Sequence, residues 1–147
     1  MNQWITHTDN QPIVLAVDPG NSKTGVALLD VNGKLVKRII VDTPLLETCI
    51  RDVLTREKQL AHIVCGNGTN HRKLYPLLES LADQLGCHAH LVNEAYTTEE
   101  AKKLYWIFNP PKGLKRLIPK GMRVPPEPVD DITAFVIGQR WFQENND

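Results

Sequence analysis

The chain has 147 residues, of which 41% are apolar, and its 17 basic residues balance its 17 acidic ones. This length is typical of one domain whose core is large enough to fold without disulfide bonds. A formal net charge of zero argues against nucleic-acid binding by the whole surface, so any such role would depend on local clusters of charge.

The sequence lacks the patterns of an exported or membrane protein. No run approaches the roughly 20 apolar residues that a membrane span requires, and the N-terminus has no basic and apolar signal pattern. The three cysteines are scattered in apolar surroundings, which is typical of reduced thiols in a core. These features predict a cytoplasmic protein.

The first half of the chain predicts an antiparallel meander of three strands. Ile13 to Val17 is an unbroken apolar run that reaches Asp18 and a turn sequence, as expected for a strand buried on both faces. Thr24 to Val31 and Lys34 to Val41 are two further strand-like runs. Asn32-Gly33 between them is a strong hairpin signal.

Helices and strands then alternate. Thr43, which a proline follows, favours a helix start with threonine as the N-cap. Short apolar runs at Ala61–Cys65 and His88–Val92 predict two more strands. Thr97 and Glu100 have the spacing of a capping box before another helix. This order predicts an α/β fold with a mixed five-stranded sheet and helices on both of its faces.

We predict three parts along the chain: a flexible arm over residues 1–12, a single domain over 13–143, and within it a basic proline-rich loop over 109–127. No acid occurs between Asn109 and Pro126, whereas five basic residues do. They are candidates for contacts with a nucleic-acid backbone. The alternative is a solvated loop whose charge keeps nearby leucines soluble. The basic residues are Lys112, Lys115, Arg116, Lys120 and Arg123.

Three acids occupy comparable junctions. Asp18 ends the first strand, Glu94 follows the fifth, and Asp130 opens an almost wholly apolar last helix, with Asp131 beside it. If the first strand lies between the two later parallel strands, these carboxylates converge. Carboxylates brought together repel unless a cation neutralises them, and oxygen ligands without His or Cys favour Mg²⁺ or Mn²⁺. The alternative is that each acid only caps a helix or turn, and this applies first to Asp131.

Three motifs resemble one known family. VLAVDPGNSKTGVALLD, LVNEAYTTEEA and PVDDITAFVIG are similar to the acidic motifs of the RuvC/YqgF branch of RNase H-like nucleases, over about residues 13–142. The resemblance implies an RNase H-like fold and a nuclease that uses two divalent ions when substrate is bound. It implies catalytic roles for Asp18, Glu94 and Asp130, and it extends the metal ligands to Asp131.

The resemblance leaves the substrate open. The Asp-Pro-Gly sequence after the first strand is closer to junction resolvases of the RuvC kind, which implies branched DNA. The Thr-Thr pair after Glu94 is closer to the YqgF kind, which is linked to the trimming of a ribosomal RNA precursor. A homodimer would suit a branched junction, whereas a monomer would suffice for trimming.

Further polar residues near the first and fourth strands could contact phosphates. We name Lys23 and Thr24 beside Asp18, and Asn67 and Thr69 after the fourth strand. Two other functions use the same residues. One is a binding module that keeps the fold and the basic loop but does not cleave. The other is an actin-like ATPase, because Asp18-Pro-Gly together with Thr24-Gly25 also resembles the phosphate loop of that class. Such enzymes need two domains of this kind to enclose the nucleotide, whereas 147 residues supply one.

Overall fold

The computed structural model describes residues 11–68, 70–119, 125 and 128–145. The predicted arm over 1–12 therefore lies almost wholly outside the described residues. So do three of the predicted nucleic-acid contacts, Thr69, Lys120 and Arg123, together with the side chain of Lys115.

Five strands form one mixed sheet in the order β3-β2-β1-β4-β5. β2 pairs antiparallel with both β1 and β3, and β4 pairs parallel with both β1 and β5. The predicted meander and mixed five-stranded sheet are thus confirmed. The strands are β1 (Val14–Asp18), β2 (Lys23–Leu29), β3 (Leu35–Asp42), β4 (His62–Gly66) and β5 (His88–Val92).

Helices cover both faces of the sheet, as predicted. One apolar cluster joins the sheet to α1 and α2, and a second joins its other face to α4. α3 packs against α4 through a third, smaller cluster. No helix in the described part of the chain has the length and apolar character that a membrane crossing requires. The helices are α1 (Leu46–Arg56), α2 (His71–Leu85), α3 (Thr97–Phe108) and α4 (Asp130–Asn145).

The position of β1 differs from the expectation. β1 does not lie between the two later parallel strands, because it lies between β2 and β4. Its side chains are buried on both faces, and so are those of β4 from Ile63 onward, so the two apolar strands occupy the middle of the sheet. The carboxyl end of β4 therefore separates Asp18 from the segment that follows β5.

Strand alternation decides which face of the sheet each acid shares. Leu15 and Val17 belong to the cluster with α1 and α2, whereas Val14 and Ala16 belong to the cluster with α4. Asp18 continues the second set, because alternate residues of a strand point to the same face. It therefore lies on the α4 side, where Asp130 begins that helix.

Two predicted helix caps are wrong. The first helical turn after β3 is a 3-10 helix over Thr43–Leu45. Thr43 is therefore its first helical residue, and no side chain caps its N-terminus. α3 begins at Thr97 itself, so Thr97 is the first helical residue and does not occupy the flanking position that a capping box requires. Glu100 forms an ion pair with Arg140 at 2.8 Å instead.

Candidate carboxylate site

Hydroxyl groups hold the turn that follows Asp18. The backbone N–H of Gly20 donates to Oγ1 of Thr24 at 3.3 Å, and the hydroxyl of Thr43 donates to the carbonyl oxygen of Gly20 at 2.9 Å. The two threonine hydroxyls lie 2.8 Å apart. Thr24 is fully buried, so it fixes the turn beside Asp18 from within and does not face solvent as a phosphate ligand would.

Gly25 brings the start of α4 close to Asp18. Asp18 and Gly25 are direct partners across β1 and β2. A Cβ atom on Gly25 would overlap the backbone carbonyl of Asp130 and would lie 2.7 Å from the backbone nitrogen of Asp131. Only glycine leaves room for this approach, so the first turn of α4 lies on β2 directly beside the end of β1.

Two glycines at the end of β4 make room for Glu94. A Cβ atom on Gly66 would lie 2.7 Å from Oε2 of Glu94, and one on Gly68 would overlap Oε1. The side chain of Glu94 therefore lies over the end of β4, which explains how it reaches Asp18 although β4 separates their strands. The side-chain oxygen of Asn67 accepts a hydrogen bond from the backbone N–H of Glu94 at 3.2 Å.

The three predicted catalytic acids are brought together at one edge of the sheet. Burial, followed by the charges of Glu94 and Asp130, raises the pKa of Asp18 to about 8. Burial and the neighbouring Asp131 also raise the pKa of Asp130. The raised values mean that this pocket disfavours negative charge unless a cation compensates it.

The donor set suits a hard divalent cation, since carboxylate oxygens are the ligands that Mg²⁺ and Mn²⁺ prefer. Within the described residues, no group of three or more His, Cys, Asp or Glu side chains has the arrangement of a metal site. The residues thus fit such an ion by their chemistry, and binding it would require that Asp18 lose the proton that its raised pKa retains.

Asp131 forms a buried ion pair with Arg38. Nη1 of Arg38 donates to Oδ2 of Asp131, and the side chains are only 5% and 4% exposed. Oδ1 of Asp131 accepts from the backbone N–H of Ile132 at 2.9 Å. Burial raises the pKa of Asp131, while Arg38 opposes this effect. Both carboxylate oxygens of Asp131 accept hydrogen bonds, so in this structure Asp131 connects α4 to β3 and is not available as a metal ligand.

The predicted nucleic-acid contacts are scattered over different environments. Lys23 is exposed and forms an ion pair with Asp42. Asn67 is exposed but its side chain contacts the backbone of Glu94. Lys112 and Arg116 are exposed beside or within a 3-10 helix over Gly113–Leu117, which interrupts the predicted loop.

The close approach of Gly68 to Glu94 yields a sharp prediction. Gly68→Ala should displace the Glu94 carboxylate, because the new methyl group would overlap Oε1. The fold should survive, since the end of a flexible side chain can move away and Gly68 does not need a left-handed backbone. We expect a loss of stability below about 1.5 kcal/mol and a loss of divalent-ion binding measured by titration calorimetry. In a protein that already carries Glu94→Gln, Gly68→Ala should cause little further loss of divalent-ion binding. Independent, additive losses of binding from the two substitutions would contradict the expectation that Gly68→Ala acts by displacing Glu94.

Sequence reasoning missed two parts of this site. The sequence does not reveal that Gly25, Gly66 and Gly68 are closely approached by α4 or by Glu94, because these contacts join segments that are distant along the chain. Arg38 was not recognised as a buried residue. The available signals were an arginine within a strand and a second acid at the start of an apolar helix, which together indicate a buried ion pair.

Comparison with solved structures identifies the fold. RuvC from Thermus thermophilus matches with a TM-score of 0.58 at 16% identity, over 86% of this chain and 90% of RuvC. T. thermophilus RuvC in complex with a Holliday junction substrate matches with a TM-score of 0.54 at 14% identity, over 88% of this chain and 92% of that one. No protein-family model and no curated protein sequence matches the chain. The similarity confirms the predicted RNase H-like fold of the RuvC type.

Proposed function

We propose that this chain, which has the RuvC fold, is a nuclease that uses Mg²⁺ or Mn²⁺ to hydrolyse phosphodiester bonds in structured nucleic acid. The observation that carries the proposal is the meeting of Asp18, Glu94 and Asp130, which come from distant parts of the sequence. Burial, together with the charges of Glu94 and Asp130, raises the pKa of Asp18 to about 8, and perturbed carboxylates at the end of a sheet are typical of functional sites.

The three acids would hold the ions, and the surrounding residues would keep them in place. Bound divalent ions would activate a water molecule and stabilise the leaving oxygen of the phosphodiester. Asp18 must lose its proton to act as a ligand, and its raised pKa opposes this loss below about pH 8 unless a bound cation compensates the negative charge. Asp131 would stabilise the position of Asp130 through its ion pair with Arg38.

Branched DNA and precursor RNA are the two substrate classes that we propose. A solved RuvC structure contains a Holliday junction, and this supports branched DNA for a chain of the same fold. The YqgF-like Thr97-Thr98 pair supports ribosomal RNA precursors instead. The positive charges of the exposed Lys112 and Arg116 would attract the phosphate backbone of either nucleic acid. A homodimer would match the symmetry of a junction, whereas a monomer would suffice for RNA trimming.

A cleavage assay with Mn²⁺ tests the proposal on four-way DNA junctions, single-stranded RNA and ribosomal RNA precursor fragments. We expect cleavage of at least one substrate and a loss of about 10³-fold or more in Asp18→Asn, as for removal of a group essential to transition-state stabilisation. Asp83→Asn, which removes an exposed carboxylate of α2, should cleave as the unmodified protein does. Undiminished cleavage by Asp18→Asn would refute the proposed role of the site.

A catalytically inactive binding module is the second candidate. It is favoured by the raised pKa of Asp18, because a carboxyl group that keeps its proton at neutral pH does not act as a metal ligand. Such a module would bind nucleic acid without metal-dependent cleavage of any substrate in the same assay. Asp18→Asn would then leave its affinity unchanged.

A further inference from the structure

Three histidines lie together at the start of the parallel strands β4 and β5. His62 and His88 are direct partners across the two strands, and His90 lies two residues further along β5. Val64 and Val92 continue the same alternation and belong to the apolar cluster with α4, so the three histidines lie on the α4 face of the sheet. A strand rises about 3.3 Å per residue, so the histidines lie about 13 Å from the end of β4, where the carboxylate site begins.

Two of these histidines form a close pair, and α4 packs against it. Nδ1 of His62 and Nε2 of His90 are 3.0 Å apart. The buried ring of Trp141 has its centroid 4.6 Å from that of His62 and 5.1 Å from that of His90. The ring of His88 is farther from His62, at 6.0 Å between centroids, and His88 is exposed. Trp141 therefore restricts the two rings of the pair, whereas His88 lies outside it.

Both members of the pair are neutral at pH 7. Burial lowers the pKa of His62 below its ordinary value of 6.5, and the charges of His90 and His88 add to this effect. Burial and the charge of His88 likewise lower the pKa of His90. A neutral imidazole keeps a lone pair on one ring nitrogen, and this is the form that binds a metal ion. The pair can therefore coordinate an ion at neutral pH without first losing a proton to solvent.

The separation of the two nitrogens is close to that of two ligands of one ion. Zinc binds imidazole nitrogen at about 2.0–2.1 Å, so two nitrogens at a tetrahedral angle lie about 3.3 Å apart. The 3.0 Å between Nδ1 of His62 and Nε2 of His90 is only a few tenths of an ångström shorter. In the hydrogen-bonded pair, one of these two nitrogens carries a proton. A shift of that proton to the other nitrogen of the same ring leaves both lone pairs available to an ion.

We propose that His62 and His90 bind a divalent transition-metal ion of the Zn²⁺ class at a site separate from the carboxylates. Imidazole ligands suit Zn²⁺, Cu²⁺ and Ni²⁺, whereas Mg²⁺ takes oxygen ligands, so the two sites differ in the ions that they select. No third His, Cys, Asp or Glu in the described part of the chain completes a three-ligand group, so water supplies the remaining positions. The bound ion joins β4 to β5 and stabilises this edge of the sheet.

Calorimetric titration with ZnCl₂ tests this inference. The parent protein carries Asp18→Asn, so that the carboxylate site contributes little to the signal. We expect saturable binding of one Zn²⁺ and no binding of Mg²⁺ at the same concentration. His62→Ala and His90→Ala should each weaken Zn²⁺ binding at least about tenfold, because the loss of even a residue that supports a ligand costs about 10- to 100-fold. Zn²⁺ should also raise the Tm of the parent but not that of either variant.

Two further variants separate coordination from packing. His88→Ala removes the exposed neighbour of the pair and should keep the Zn²⁺ affinity within about twofold of the parent. His62→Gln retains a hydrogen-bonding side chain against Trp141 but lacks the imidazole nitrogen. It should lose Zn²⁺ binding as His62→Ala does, while its Tm without metal stays close to that of the parent.

Three outcomes would overturn the proposal. The first is that the parent does not bind Zn²⁺, and the second is that His62→Gln and His90→Ala bind it as tightly as the parent. The third is that His88→Ala loses as much affinity as His62→Ala, because the ion would then have a different set of ligands. Each of these results would leave the nuclease proposal standing, because the titration does not depend on Asp18.

Discussion

Arg38→Met is expected to destabilise the protein by about 3–5 kcal/mol, the usual cost of leaving one partner of a buried ion pair uncompensated. Arg38 and Asp131 are almost completely buried between β3 and the first turn of α4. Without the guanidinium, the pKa of Asp131 would rise further above its ordinary range, because burial already raises it and only Arg38 and local hydrogen bonds oppose this effect. The free energy of unfolding, measured by urea denaturation, would detect the loss.

Two controls make this prediction specific. Arg56→Met removes an arginine whose pair with Asp52 is 2.8 Å long but more than half exposed, so it should cost less than about 1 kcal/mol. The double variant Arg38→Met/Asp131→Leu should recover much of the lost stability, since no buried charge remains. Equal losses for the two arginine variants would show that the buried pair does not anchor α4.

Asp18→Asn is expected to stabilise the metal-free protein at pH 7 to 8, although it should abolish cleavage. Well below its unfolded pKa of 3.8, the folded and unfolded states both hold the proton of Asp18, so this group does not change the stability. Between its unfolded pKa of 3.8 and its folded pKa of about 8, only the folded state keeps the proton. Folding therefore becomes less favourable as pH rises.

The size of this effect follows from the pKa. An increase of 1 in a pKa corresponds to about 1.4 kcal/mol, so the gain from Asp18→Asn could reach about 5 kcal/mol near pH 8 as an upper limit. Other groups also change stability with pH. Burial lowers the pKa of His62 and His90, for example, so their contribution rises with pH. The difference between the two proteins at each pH isolates Asp18.

Thermal unfolding from pH 4 to 9 would measure that difference. We expect the difference in Tm to grow with pH, and Mg²⁺ to stabilise the unmodified protein at pH 8 but not Asp18→Asn. Asp83→Asn, in which the lost carboxylate is exposed, should follow the unmodified protein throughout. If the Tm of Asp18→Asn and that of the unmodified protein changed with pH in the same way, burial of the Asp18 carboxylate and its repulsion by Glu94 and Asp130 would not affect folding.

Much of the fold could be predicted from local sequence. The apolar runs and the Asn32-Gly33 turn identify strands because burial and turn geometry depend on neighbouring residues. The caps assigned to Thr43 and Thr97 were wrong for a related reason. Both hydroxyls form hydrogen bonds that stabilise turns beside the acids, and threonine spacing does not reveal which backbone group is nearest in space.

The sequence alone determined the types and order of the strands and the three acids that follow or open apolar segments. It did not determine that β1 lies beside β4, that Glu94 passes over two glycines to reach Asp18, or that Asp131 pairs with Arg38. Only the tertiary structure decided these points, because each depends on the distance between side chains from segments far apart in sequence. The periodicity of apolar residues indicates which side chains become buried. The partner of a buried charge, in contrast, depends on how whole helices and strands pack together.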